Sequence, residues 1–480
     1  MSVAKDAISG FKWTAGGKVV GQIFNWSITI FVIRLLSPQD YGIFAIALIV
    51  TAYLTMLREF GIGNGLIQKN EFSTKILRKV LGLVILINTF FFILLLLISP
   101  YISTYYEKPI LEEIFNVQAF QFLVLVFAVL PDAKLRNELK FKELSIIQLV
   151  STMIGGVVTL VLALNDLGVW SLVWGNFSRI TVSTLMLQTV SFTMLTPDFR
   201  IRNLNGIANY GMIVMLNRTL FFIYNKIDVF ITAKILPITE VGYYTVAKDL
   251  ATLPMAKMGS SVNIVAFSAF TKYENKREEL KRHYLKAVES ISFIAFPIFF
   301  GISAVTEELV PIFLGDKWLA VTPCLQLIAL AVPFRLLNLI NGPLFEGIGS
   351  PLVHTNIIAA AVLLYVPAFF IFSEYGIVVV ALIWVVVTPL HYLYALSWVK
   401  KKIGVGMFQV MRVITVSLIV SMIMLIVVMA VSQIPDIGEQ LNAWIIMSMK
   451  IGIGIVVYLG LFLLLDREKL GNFVKLVFSR

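Results

Sequence analysis

The chain has 480 residues, of which 59% are hydrophobic and 14% charged, with a formal net charge of +11 and one cysteine, Cys324. A water-soluble protein of this length needs far more polar surface, so the composition excludes a soluble enzyme and points to a protein whose solvent is the bilayer. A single cysteine excludes an intrachain disulfide.

Fourteen hydrophobic segments follow one another along the chain, at roughly 13–36, 42–66, 80–99, 115–131, 145–164, 168–190, 207–233, 242–267, 288–313, 319–344, 353–373, 376–398, 410–431 and 443–465. Most are close to the length of about 20 residues that a helix needs to cross a bilayer, where every backbone group must be satisfied internally. The third and the last are the clearest; the first, second, seventh, eighth and tenth are more polar. The first segment is long and polar and has no short apolar region followed by a small-residue cleavage site, which predicts a retained helix, not a signal peptide. The longest polar connection, 268–287, is too short for a soluble domain. The expected fold class is an all-α polytopic membrane protein with about 14 transmembrane helices.

Basic residues alternate between the connections. The N-terminus, the even-numbered connections and the C-terminus carry 26 Lys and Arg, counting Arg412 at the start of the thirteenth segment with the connection before it; the odd-numbered connections carry three (Lys108, Lys234 and Lys317), and the other ten lie within the segments. This bias predicts cytoplasmic N- and C-termini in the inner (cytoplasmic) membrane. It also accounts for the net charge through contact with anionic membrane lipids, with no nucleic acid as partner.

The sequence also repeats weakly at an offset of 200 residues. Arg34-Leu-Leu-Ser-Pro-Gln-Asp-Tyr-Gly-Ile-Phe-Ala-Ile-Ala47 lies over Lys234-Ile-Leu-Pro-Ile-Thr-Glu-Val-Gly-Tyr-Tyr-Thr-Val-Ala247, with Leu36/Leu236, Gly42/Gly242 and Ala47/Ala247 identical. At the same offset Lys18 meets Arg218 and Asn25 meets Asn225. Six segments separate the copies, so both have the same orientation, as in transporters built from parallel repeats. The expected organisation is an N-lobe at 1–200, a C-lobe at 201–400, and two additional C-terminal helices at 401–480.

Three stretches carry a family resemblance: LREFGIGNGLIQ (57–68), NKIDVFITAKILPITEVGYYTVAKDLATLP (225–254) and GDKWLAVTPCLQLIALAVPFRLLNLINGPLFEGIGSP (315–351). They resemble the polysaccharide-transporter branch, the Wzx-type flippases, of the multidrug/oligosaccharidyl-lipid/polysaccharide exporter superfamily. The resemblance covers the first twelve segments. It implies a flippase that carries an undecaprenyl-diphosphate-linked oligosaccharide from the inner to the outer leaflet, with two lobes that alternate access. It further implies polysaccharide polymerase machinery as a partner, no cofactor, and coupling to protons or sodium as an open matter. The family's aspartate of the seventh segment lands on Asp228, and the glycine opening the eighth on Gly242.

Ionisable groups at membrane depth cost roughly 2.5–3.5 kcal/mol on insertion scales, so they face wet cavities or partners. Of the ten basic residues within the segments, Lys18, Arg218, Lys226, Lys248, Lys257 and Arg335 are the candidates for a cationic substrate-binding cavity, suited to a diphosphate and acidic sugars. Arg218 and Asn225 are seven residues apart, about two helical turns, and so share a face; Lys18 and Asn25 have the same spacing. Asn25 and Asn225 are the supporting polar residues. Asp228, Asp249 and Glu289 are the candidate coupling acids, because burial raises a carboxyl pKa and a nearby cation lowers it. Duller readings stand beside these. Arg34 and Lys450 lie near segment ends and snorkel to the interface. Arg58 and Glu59 form a local pair, and Arg179 serves either a cavity or interhelix contact. Trp13, Trp26, Trp170, Trp174, Trp384 and Trp398 suit interfacial belts or lipid-facing packing. Pro254 and Pro333 can kink their helices. The three histidines are far apart and nothing has metal-ligand spacing.

Two other functions compete. A multidrug or cation exporter of the same superfamily predicts an acidic cavity, whereas the excess here is basic. A membrane glycan polymerase or acyltransferase predicts a large outer loop or an embedded His/Asp/Arg constellation, whereas the outer connections at 100–114 and 432–442 are short.

Overall fold

Long apolar runs with few helix breakers have one solution in lipid, the α-helix, which pairs its own backbone. The computed structural model describes residues 26–58, 73–193, 195–200, 205–274, 276–431 and 442–466, without the side chains of 205–214, 256, 257, 259–265 and 268. Every regular element among the described residues is helical. In chain order they are α1 (Trp26–Leu35), α2 (Pro38–Arg58), α3 (Thr74–Tyr106), α4 (Ile110–Asn137), α5 (Phe141–Leu164), α6 (Val169–Val190), α7 (Asn205–Ile235), α8 (Ile238–Lys272), α9 (Arg277–Ala304) and α10 (Thr306–Phe313). After a 3₁₀ turn come α11 (Thr322–Leu339), α12 (Asn341–Gly347) and α13 (Pro351–Phe372); after a second come α14 (Ile377–Ile403), α15 (Met407–Val431) and α16 (Ala443–Leu465). Each expected hydrophobic segment carries a helix, and ten spans among the described residues are long and apolar enough to cross a membrane. The chain is an all-α, multi-pass membrane protein.

Two details differ from the hydrophobic pattern. The ninth segment ends at Ala304, and the short α10 follows it with Glu307 and Glu308 in its first turn. The tenth divides at Ile340 into α11 and α12. Pro254 and Pro333 lie inside uninterrupted helices.

The 200-residue offset reappears in the backbone. One helix ends at Leu35 and the next starts at Pro38; the other pair ends at Ile235 and restarts at Ile238. At the first break Ser37 and Asp40 cap each other: the Ser37 N–H donates to Asp40 Oδ2 (2.9 Å), as does its hydroxyl (2.6 Å), and the Asp40 N–H donates to Ser37 Oγ (3.2 Å). This reciprocal arrangement satisfies donors that a helix start leaves open. At the second break Pro237 precedes the helix, and its carbonyl accepts from Glu240 N–H (2.9 Å).

The chain forms two compact units, Met1–Lys234 and Ile235–Arg480. In the first, α3 packs on α4, α4 on α6, and α5 on α6. The α5–α6 contact is a close backbone approach: a Cβ on Gly155 would meet Arg179 Cβ at 2.7 Å, and one on Gly175 would meet Thr159 Oγ1 at 1.7 Å. Small residues let helices come this near in a bilayer, where apolar side chains gain nothing by leaving lipid. In the second unit α11 is the central helix, packed on α8, α9 and α14, while α15 lies on α9 and α16 on α15 and α10.

Candidate functional site

Burying a cation requires something to replace water. In the second unit, Lys248 on α8 and Arg335 on α11 are 7% and 4% exposed, and both lie against the indole of Trp384 on α14. Lys248 Nζ is 5.1 Å from the ring centroid and Arg335 Cζ is 4.4 Å from it, within the range where the ring quadrupole attracts a cation. Trp384 is fully buried. Its Nε1–H donates to the Tyr244 hydroxyl (2.7 Å), and the rings of Tyr365 and Phe369 pack on it at centroid distances of 4.7 and 5.6 Å. The Tyr365 hydroxyl shares a 2.7 Å hydrogen bond with Thr388, one turn further along α14. The indole therefore cannot rotate away without breaking buried contacts, and the two cations share a fixed platform.

Among the described side chains of the second unit, Lys248 and Arg335 of the six expected cavity cations are brought together. Lys18 and Asn25 lie outside the described residues, as does the side chain of Lys257. Arg218, Asn225 and Lys226 are half-buried on α7 in the first unit, where Asn225 Nδ2 donates to the Phe221 carbonyl of its own helix (2.7 Å). Asp228 is fully buried on the same helix, and the Thr232 hydroxyl donates to its backbone carbonyl (2.8 Å). Asp249 is exposed and Glu289 half-buried, on separate helices. Arg58 is buried, with Nη1 3.5 Å from the Leu125 carbonyl. Arg179 Nη2 donates to Asn176 Oδ1 on its own helix (3.0 Å).

Two expectations require correction. Trp384 is not an interfacial or lipid-facing residue, because it is the buried ring on which two cations rest. Lys450 does not snorkel: its side chain is completely buried in an ion pair with Glu308 of α10, itself mostly buried. Glu308 is not one of the candidate coupling acids, although it lies within the ninth segment, in the first turn of the short helix that the segment's apolar pattern does not separate from α9.

The first unit has an ion pair outside the apolar spans. Lys234 Nζ lies 2.9 Å from Glu107 Oε1 and 5.2 Å from the Tyr105 ring, and the adjacent Tyr106 hydroxyl donates to the Phe230 carbonyl (3.2 Å). The hydrogen bond and charge of Lys234 hold the Glu107 carboxyl below its ordinary range.

The sequence of α14 carries a polar series whose shared face is visible from its spacing. Trp384, Thr388 and His391 stand at i, i+4 and i+7 in an otherwise apolar run, which places them on one helix face. All three are buried.

The family model for the polysaccharide biosynthesis proteins matches residues 31–323, which include Lys248 but end before Arg335 and Trp384. The chain belongs to this polysaccharide biosynthesis protein family. The chain is 24% identical over 336 residues to the lipopolysaccharide biosynthesis protein WzxC of Escherichia coli (strain K12), covering 68% of this chain and 67% of that one. It is 22% identical over 351 residues to the teichuronic acid biosynthesis protein TuaB of Bacillus subtilis (strain 168), covering 71% of each. Its fold is similar to that of the lipid II flippase MurJ in an inward closed conformation, with a TM-score of 0.77, 16% identity, and coverage of 95% of this chain and 99% of that one. Of the three residues at the tryptophan platform, the matched region contains Lys248, and Arg335 and Trp384 lie beyond it.

Proposed function

We propose that this protein is a flippase that moves a polyprenyl-diphosphate-linked oligosaccharide from the inner to the outer leaflet of the cytoplasmic membrane by alternating access. The observation that carries the reading is the placement of Lys248 and Arg335 at Trp384, deep inside a member of a polysaccharide biosynthesis family. Cations at this depth favour an anionic cargo, a diphosphate or acidic sugar, over a cationic drug. WzxC is named for the biosynthesis of lipopolysaccharide, TuaB for that of teichuronic acid and MurJ for flipping lipid II, which supports the same cargo class.

In this reading the N- and C-termini are cytoplasmic, the lobes divide at 200/201 with helices from 401 onward as additions, and the glycan is handed to polymerase machinery outside. Lys18 and Arg218, matched by the repeat, line the cargo cavity together with Lys226, Lys248, Lys257 and Arg335. Asn25 and Asn225 support them, while Asp228, Asp249 or Glu289 gates coupling.

The test is translocation of an undecaprenyl-diphosphate-linked oligosaccharide in proteoliposomes. Arg218→Ala combined with Lys18→Ala is expected to abolish it while the folded protein stays in the membrane. Arg218→Lys is expected to retain part of the rate if charge alone matters and little if bidentate phosphate geometry matters. Unchanged translocation by the double variant sinks the cationic-cavity reading.

A further inference from the structure

A chain of buried and part-buried hydrogen bonds runs through the second unit, apart from the cation platform, and reaches His391. It starts at Tyr284 on α9, whose hydroxyl donates to Asn341 Oδ1 at the start of α12 (3.2 Å). Asn341 Nδ2 donates to Asn338 Oδ1 on α11 (3.3 Å). Asn338 Nδ2 lies 3.4 Å from His391 Nδ1 on α14, and His391 Nε2 lies 3.0 Å from the Ile357 carbonyl on α13. Tyr284 and Asn341 are fully buried and His391 is 4% exposed.

The chain has a direction. An amide nitrogen can only donate and a carbonyl oxygen can only accept. Asn338 Nδ2 therefore requires His391 Nδ1 to be the acceptor, and the Ile357 carbonyl requires Nε2 to carry the proton. Every bond from Tyr284 to Ile357 then points the same way. Such a chain has one acceptor that can also take a proton, and that is His391 Nδ1.

Adding a proton there sets N–H against N–H. The contact is relieved when Asn338 turns its amide over and offers Oδ1 to the imidazolium. Its Nδ2 then faces Asn341 Nδ2, so Asn341 must turn as well. Its Nδ2 next faces the Tyr284 oxygen, which can accept once the hydroxyl rotates. One proton, taken from water, thus reverses hydrogen bonds on four helices. Leaving any link unreversed sets donor against donor in a largely buried place, which is unfavourable.

We propose that His391 is a proton-binding site, and that its occupancy reverses the Asn338–Asn341–Tyr284 chain, giving the second unit two discrete internal states. As a proton site it stands on this geometry alone. As a coupling site for transport it rests on the flippase reading given under Proposed function.

The helices packed on α14 also carry titratable groups. Among them are Arg335 on α11, Lys248 and Asp249 on α8, Tyr284 and Glu289 on α9, His354 and Tyr365 on α13, Arg412 on α15, and Glu374 in the turn before α14. Tyr392 and Lys400, Lys401 and Lys402 belong to α14 itself. His354 Nδ1 lies 3.4 Å from Glu346 Oε1, and its ring sits beside Gly342, the residue after Asn341. These neighbours shift the pH at which the switch works but do not supply its direction, which the amides fix.

The full chain has three histidines, His283, His354 and His391, so each gives a resolvable signal. The protein in lipid nanodiscs, with 15N in its histidines and asparagine side chains, is titrated by NMR from about pH 8 to about pH 5, the range in which imidazoles change charge. His391→Gln assigns the signal. The expected result is a neutral His391 protonated on Nε2 that becomes cationic on acidification, with the Asn338 and Asn341 amide signals shifting at the same pH. Asn338→Asp places an acceptor opposite Nδ1 and is expected to raise the proton affinity of His391 about tenfold or more, one pH unit. The proposal is overturned by a neutral His391 protonated on Nδ1, by a His391 that never becomes cationic, or by amides that ignore its titration. It is also overturned by an Asn338→Asp protein in which His391 titrates as in the parent. In proteoliposomes, a translocation rate that loses its pH dependence in His391→Gln supports the coupling role, and an unchanged pH profile removes it. The NMR readout needs no cargo, so loss of glycan translocation with the titration intact counts against the flippase reading and leaves the proton site in place.

Discussion

In the first unit, α5 and α6 meet at bare backbone, with Gly155 and Gly175 so close to the facing helix that a single methyl does not fit. In the second unit, helices are joined by groups that are costly to bury alone: Lys450 with Glu308, and Lys248 and Arg335 with Trp384. The contrast separates two ways of assembling helices in lipid. Close packing uses dispersion and tolerates almost no added volume, whereas buried charge tolerates volume but not the loss of a partner. It also separates two roles within the second unit. Lys450 is balanced by a carboxylate and fastens the last helix to α10. Lys248 and Arg335 lean on an aromatic face that attracts cations while carrying no formal charge.

The largest effect is expected where a charge loses its partner. Glu308→Gln leaves Lys450 buried without its carboxylate and is expected to destabilise the second unit by about 3–5 kcal/mol, whereas Glu308→Leu with Lys450→Met recovers most of the loss. Unfolding in detergent, followed by tryptophan fluorescence, measures both; equal destabilisation by the single and double variants would break the distinction.

Trp384→Ala removes a fully buried ring and is expected to be destabilising by about 3–5 kcal/mol. Trp384→Phe keeps a face for the two cations, loses the bond to Tyr244, and is expected to cost about 1–2 kcal/mol. If the platform matters to cargo, the Phe variant retains glycan translocation in proteoliposomes. A well-folded Phe variant without translocation would place the requirement on the indole N–H instead.

In the first unit, Gly175→Ala is expected to cost about 1–3 kcal/mol by overpacking. Its Cβ would overlap Thr159 Oγ1, so Thr159→Ala in the same chain should return part of that loss. Thermal unfolding of the single and double variants tests the backbone contact.

The smallest effect concerns Glu107 and Lys234. Their partnership depresses the folded-state pKa of Glu107, so its contribution is fully present above the ordinary carboxylate value of 4.5 and fades as the pH falls through the lowered one. Glu107 is largely exposed, so Glu107→Gln is expected to shift the unfolding midpoint only slightly near neutral pH and not at all in acid. An equal shift at both pH values would mean that the side chain acts by packing and not by charge.

The sequence alone determined that the chain is helical and multi-pass, because only self-satisfied backbones survive in hydrocarbon and apolar runs of the right length announce them. Its 200-residue repeat, Arg34–Ala47 over Lys234–Ala247, covers both places where one helix ends and the next begins, at Leu35/Pro38 and Ile235/Ile238. It identified Lys248 and Arg335 as cations needing an explanation, because their burial is costly wherever they point. Which partner each cation found was decided by tertiary structure. Arg335 and Trp384 are 49 residues apart, and Lys450 and Glu308 are 142 apart. No periodicity within a helix encodes which neighbour it will face. Trp384 looked like a belt residue and Lys450 like an anchor because residue type states a preference for the interface, while burial depends on which helices pack around it. The His391 chain was hidden for the same reason: its members come from five helices, and their direction exists only once donor meets acceptor.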